Sequence, residues 1–78
     1  MNITIYGAGC AKCQQTEELV RRVLAEVGMA EDVVKVGDLR AMAEAGIMLT
    51  PAVAVDGVVK VAGRVPKAEE VRQWITGE

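Results

Sequence analysis

The chain has no histidine and no phenylalanine, and only one tryptophan and one tyrosine among 78 residues. Without histidine, zinc sites of mixed Cys/His type and Cys–His catalytic pairs are excluded. With so few aromatics and 51% hydrophobic content, the core has to be built largely from Val, Ala, Ile and Leu. The length allows a single domain, residues 1–78, with one modest core. No uninterrupted apolar run approaches the roughly 18 residues of a membrane span, and the start Met1-Asn2-Ile3-Thr4-Ile5 carries no basic leader region. A cytoplasmic protein without a membrane partner is expected. The net charge is −2, with acids and bases interleaved along the chain, so there is no basic stripe for nucleic acid. Low-complexity tracts, linkers and internal repeats are absent as well.

What the chain does have is two cysteines, both in Cys10-Ala11-Lys12-Cys13, between a short apolar strand and a long amphipathic helix. A loop this short restricts the unfolded chain little, so a structural staple is a poor account of the pair. Cysteine chemistry runs through the thiolate, and a helix N-terminus stabilises one with unpaired N–H groups and partial positive charge. After the motif, Thr16, Leu19, Val20, Val23, Leu24 and Val27 form a helical stripe with Cys13 on its line, opposite Glu17, Glu18, Arg21, Arg22 and Glu26. Cys10, one turn earlier and preceded by Gly7-Ala8-Gly9, falls at the helix mouth, where a partner can approach closely. An outer nucleophile and an inner resolving thiol are what dithiol exchange requires: the first makes a mixed disulfide and the second displaces the partner.

The remaining elements follow from periodicity and punctuation. Asn2 to Tyr6 reads as a strand and Ala11 to Val27 as a helix, with Glu17–Arg21 and Glu18–Arg22 spaced as ion pairs and Gly28 after its end. Val33 to Val36 is a second strand, parallel to the first across the helix. Asp38 caps a short second helix that Gly46 ends. Thr50-Pro51 leads into a strand, Ala52 to Val55, and Asp56-Gly57 turns it into a hairpin with Val58 to Ala62. Pro66 suits the first turn of a last helix whose apolar face is Val71, Trp74 and Ile75.

Gly9-Cys10-Ala11-Lys12-Cys13 after the first strand, Thr50-Pro51 before the third, and Val55-Asp56-Gly57-Val58 through Gly63-Arg64-Val65-Pro66 before a terminal helix carry a resemblance over nearly the whole chain. It resembles the thioredoxin superfamily, in particular small thioredoxin- or glutaredoxin-like redox-active disulfide proteins. The resemblance implies an α/β thioredoxin-like fold, β-α-β-α-β-β-α, with a four-stranded mixed sheet of order 2-1-3-4 flanked by three helices. It implies a cis Thr50–Pro51 bond on the active-site surface, and makes Thr50 and Pro51 the substrate-binding candidates beside Cys10 and Cys13. It also implies no bound cofactor, a protein or small-molecule disulfide as substrate, a reductase or low-molecular-weight thiol for recycling, and a monomer. The chain departs from the thioredoxin pattern in having Gly9 for the aromatic, Ala11-Lys12 for Gly-Pro, and Thr4 where the strand would carry a buried acid. Glutaredoxin's basic glutathione-binding set is not found either.

Lys12 and Tyr6 are candidates for modulating the Cys10 pKa, against simpler roles as a solvated side chain and a core edge. Met48 could line a substrate surface, although gap-filling is the commoner use of Met. Trp74 reads as core and Arg64 as merely exposed. Two functions compete. One is a thiol-disulfide oxidoreductase with Cys10 attacking and Cys13 resolving. The other is a soft-metal carrier of the copper type, which presents two thiolates on a similar loop but has the order β-α-β-β-α-β and leaves Thr50-Pro51 without a role.

Overall fold

The computed structural model describes residues 2–29 and 33–77. Seven elements follow in the order β1 (Ile3–Tyr6), α1 (Ala11–Glu26), β2 (Val33–Val36), α2 (Leu39–Glu44), β3 (Ala52–Val55), β4 (Val58–Ala62) and α3 (Ala68–Thr76). The sheet order is β2-β1-β3-β4. β1 runs parallel to β2 and antiparallel to β3, and β3 pairs antiparallel with β4. This is the thioredoxin-like arrangement expected from the resemblance. The ends of the single-domain reading, Met1 and Glu78, lie outside the described residues, as do residues 30–32 within it.

Alternation along the strands sorts the core into two layers. Ile3, Ile5, Val53 and Val61 pack with Leu19, Val20, Val23 and Leu24 of α1 and Val71 and Ile75 of α3 on one face. On the other face Tyr6, Val36 and Ala52 meet Met42 and Ile47 at α2. The α1 stripe therefore faces the sheet as its spacing predicts. Thr16, polar but wholly buried, is reconciled with that face by donating its hydroxyl to the Lys12 carbonyl at 2.8 Å.

The punctuation is largely as read. α1 ends one residue early, with Val27 as its cap. The Gly28 and Met29 N–H groups donate to the Ala25 and Leu24 carbonyls, while Met29 packs on the core. α2 ends the same way, the Gly46 and Ile47 N–H groups donating to Ala43 and Met42. In the hairpin, Asp56 (φ 52°) and Gly57 (φ 83°) both take the left-handed conformation that a two-residue turn of primed type needs. Ala54 pairs with Val59 and Val53 with Val61, so Lys60 is an extra residue on the edge strand, a bulge of the kind that discourages edge-to-edge pairing. Pro66 corrects the expectation for α3: it precedes the cap residue Lys67, and the helix begins at Ala68. The first turn is instead secured by Glu70, which accepts from the Lys67 N–H at 2.9 Å.

Candidate active site

The strand register decides what meets at the reactive end. Tyr6 pairs with both Val36 and Ala52, and Ala52 pairs with Ala62. The ends of β1, β2 and β4 and the start of β3 thus share one edge of the sheet. The Cys10 loop, the turn at Gly37-Asp38, the Thr50-Pro51 segment and the Gly63-Arg64 loop all emerge there. Gly7 N–H donates to the Val36 carbonyl and Gly63 N–H to that of Pro51, each at 2.9 Å. The Thr50–Pro51 bond is cis, with Thr50 exposed and Pro51 buried.

Cys10 is the N-cap residue of α1, in an extended conformation, and its Sγ accepts from the Cys13 N–H at 3.2 Å. The thiol takes the place that Ser, Thr or Asp oxygens usually occupy at a helix start, so its ionised form satisfies donors that the helix leaves unpaired. The neighbouring Cys13 thiol, and then the Cys13 backbone N–H, hold the Cys10 pKa below its ordinary value against a smaller opposing effect of desolvation. Cys13 is the converse case. The residue is only 6% exposed, and burial, followed by the Cys10 side chain, pushes its pKa up. Both thiols are free. One is exposed with its pKa lowered, and the other is buried with its pKa raised.

Cys13 opens on a shallow pocket that also exposes Gly7, Gly9, Gln14, Glu17 and Lys35, a hollow of about 360 Å³ when the space open to solvent is included. Glu17 pairs there with Arg21 at 2.9 Å and Lys35 at 3.3 Å. The Arg21 guanidinium, then Lys35, hold its carboxyl below the usual range. Sequence reasoning finds no acid in the strand before the motif; the structure puts one at the pocket from the helix. Reading Glu17 as part of the face opposite the stripe hid this, although Glu17, four residues after Cys13, is its neighbour on the helix surface. Lys35 carried no such signal, since it reaches the pocket only because β2 pairs Lys35 with Ile5.

The other candidates fall out unevenly. Lys12 is exposed, and its backbone N–H, not its ammonium, contributes to lowering the Cys10 pKa. Tyr6 packs on the α2 face of the sheet. Met48 is no gap-filler: it is 93% exposed, with Leu49 at 63% and Leu39 at 76%. Trp74 packs half-buried against the main core. Arg64, exposed as read, also grips Glu70 through its two terminal guanidinium nitrogens at 2.8 and 2.7 Å.

An exposed thiol capping a helix, a buried thiol in the helix's first turn and a cis-proline loop on the same sheet edge define a dithiol–disulfide exchange protein of thioredoxin-like fold. Comparison with known proteins agrees. The family model for the thioredoxin domain matches residues 1–76. Thioredoxin from Methanothermobacter thermautotrophicus is 40% identical over 76 residues, covering 97% of this chain and 99% of that protein. Thioredoxin from Methanocaldococcus jannaschii is 41% identical over 71 residues, covering 91% of this chain and 81% of its own length. The chain belongs to the thioredoxin family, and its activity is that of a small thiol-disulfide oxidoreductase.

Proposed function

We propose that Cys10 attacks a disulfide in a protein partner and that Cys13 resolves the complex, in a monomeric, single-domain, cytoplasmic enzyme. The observation that carries this reading is the inequality of the two thiols on one helical turn. Cys10 is exposed with its pKa lowered; Cys13 is buried with its pKa raised. In the first step the Cys10 thiolate bonds to one partner sulfur and expels the other, which takes a proton. In the second, Cys13 loses its proton, bonds to Cys10 Sγ and expels the remaining partner thiol. The protein is left with a Cys10–Cys13 disulfide and the partner with two thiols, two electrons having moved. A reductase or low-molecular-weight thiol then returns the dithiol.

Thr50 and Pro51 serve as the docking edge, with the Thr50 backbone available to an extended segment and Pro51, lacking an N–H, ending the ladder. A protein rather than a small polar disulfide fits the surroundings. Leu39, Met48 and Leu49 are exposed at this end, and no charged residue occurs from Ala45 to Val55, so an apolar stretch of a partner can be covered. Among the described residues no helix is long and apolar enough to cross a membrane. The Cys13 thiol and the backbone amides at the start of α1 are the leading causes of the lowered Cys10 pKa. No observation favours the soft-metal carrier. The element order is not that of such carriers.

The test is to equilibrate the metal-free protein against graded thiol/disulfide buffers, trap free thiols and count them by mass. One reversible two-electron transition at about −180 to −300 mV is expected. Thiols that show no transition, and are protected only on adding a soft metal, would replace this reading with the carrier.

A further inference from the structure

Gly7, directly after β1, has no backbone reason to be glycine. Six other glycines adopt positive φ, and Gly7 is not among them. The reason is space. A Cβ on Gly7 would overlap Cys13 Sγ and stand 2.9 Å from Cys13 Cβ, with Cys13 Cα next at 4.0 Å. The three nearest obstacles are thus all atoms of the resolving cysteine. Both backbones are tethered. Gly7 N–H is bonded to the Val36 carbonyl at 2.9 Å. Cys13 is held in the first turn of α1 with its N–H on Cys10 Sγ. The Cys13 sulfur can turn away into the solvent-connected pocket, while the 2.9 Å approach to Cys13 Cβ is relieved only by a small shift of the start of α1 from β1.

We propose that Gly7 is a positioning residue of the dithiol: by lacking a Cβ it provides the seat in which Cys13 Sγ rests, and so fixes the burial of that thiol and its contact with Cys10. This rests on the reading of Cys10 as attacking and Cys13 as resolving. In Gly7→Ala the sulfur is pushed off its seat. Cys13 then loses burial, the first cause of its raised pKa, while Cys10 loses the neighbouring thiol, the first cause of its lowered one. The two ionisations converge, moving in opposite directions. General loosening of the fold would also relax the two values towards each other, so the shifts are read in protein shown to be folded by its urea transition, and the folding cycle below separates the seat from loosening.

An aromatic disulfide, 5,5′-dithiobis(2-nitrobenzoate), reads both thiols. Cys10 expels one coloured thiolate and forms a mixed disulfide, and Cys13 loses its proton, closes the disulfide and expels the second. Stopped-flow release is followed across pH in wild type, Cys10→Ser, Cys13→Ser and Gly7→Ala. Wild type should release two equivalents in two phases, Cys13→Ser one, and Cys10→Ser should lose the fast phase. In Gly7→Ala the pH midpoint of the first phase should rise and that of the second should fall. If Cys10→Ser keeps the fast phase, the assignment of roles fails. If the roles hold and the Gly7→Ala midpoints stay at their wild-type values, or move together, the seat is refuted.

A folding cycle covers the case in which Gly7→Ala does not fold. In a Cys13→Gly background the nearest remaining atom is the residue 13 Cα at 4.0 Å, an ordinary contact. There Gly7→Ala should leave the urea midpoint unchanged, whereas it lowers the midpoint or abolishes folding when Cys13 is present. A loss of stability that persists without the Cys13 side chain overturns the proposal.

Discussion

Replacing Cys13 by Ser should convert a transient complex into a stable one. The Cys13 amide nitrogen lies 3.2 Å from Cys10 Sγ, so the second thiol is held within one helical turn of the first. Effective molarities of well-oriented intramolecular reactions begin at about 10⁵ M. Against an external thiol at about 1 mM, internal resolution is then favoured by roughly 10⁸, and even a thousandfold shortfall from ideal orientation leaves about 10⁵. With Ser at position 13 only the external route remains. The Cys10 mixed disulfide should therefore persist from a fraction of a second to hours at a millimolar competing thiol. The assay is to mix the reduced variant with a disulfide-bearing protein, quench with acid at intervals and measure the cross-linked mass. Non-reducing peptide mapping then locates the bond. A Cys13→Ser protein that releases its partner as fast as wild type, or a bond mapped to a residue other than Cys10, would refute the division of labour between the two thiols.

Alkylation of Cys10 by iodoacetamide should rise with pH at an inflection below the ordinary thiol value, and Cys13→Ala should move that inflection upward by removing its first cause; equal inflections would show that the helix start acts alone. Val23→Ala removes two methyl-sized groups from a side chain with 0% exposure. At about 0.8 kcal/mol per group plus a cavity contribution, a loss of about 2 kcal/mol is expected in urea unfolding, and a loss within about 0.5 kcal/mol would mean that the two-layer core is packed otherwise. The Glu70 carboxyl, held down to about 2 first by Arg64 and then by the Lys67 N–H, is depressed in the folded state. Its contribution is complete above the unfolded value of 4.5 and lost as pH falls towards 2. The difference in urea midpoint between wild type and Arg64→Gln should shrink over that interval; a difference independent of pH would assign Arg64 a packing role instead.

The sequence by itself determined the parts governed by neighbours along the chain. β2, β3 and β4 fall at the residues where β-branched runs place them, Asp38 caps α2 by accepting from the Arg40 N–H at 3.0 Å, and Asp56-Gly57 makes the hairpin. The position of both cysteines at the start of α1 is of the same kind, because capping and helical periodicity act within a few residues. The misreadings arose where a residue's partner was distant or its surroundings open. Pro66 stayed outside α3 because Glu70 secures the turn from Lys67 onward, and Arg64 turned to that same Glu70. Met48 faces outward because nothing in its own segment dictates a neighbour. Only the tertiary structure could decide the pocket. Pairing Ile5 with Lys35 across two strands brings a lysine to Glu17, and docking α1 on β1 presses the Cys13 sulfur against a glycine. Those contacts depend on register and helix placement, which many weak interactions fix together and no local run of residues encodes.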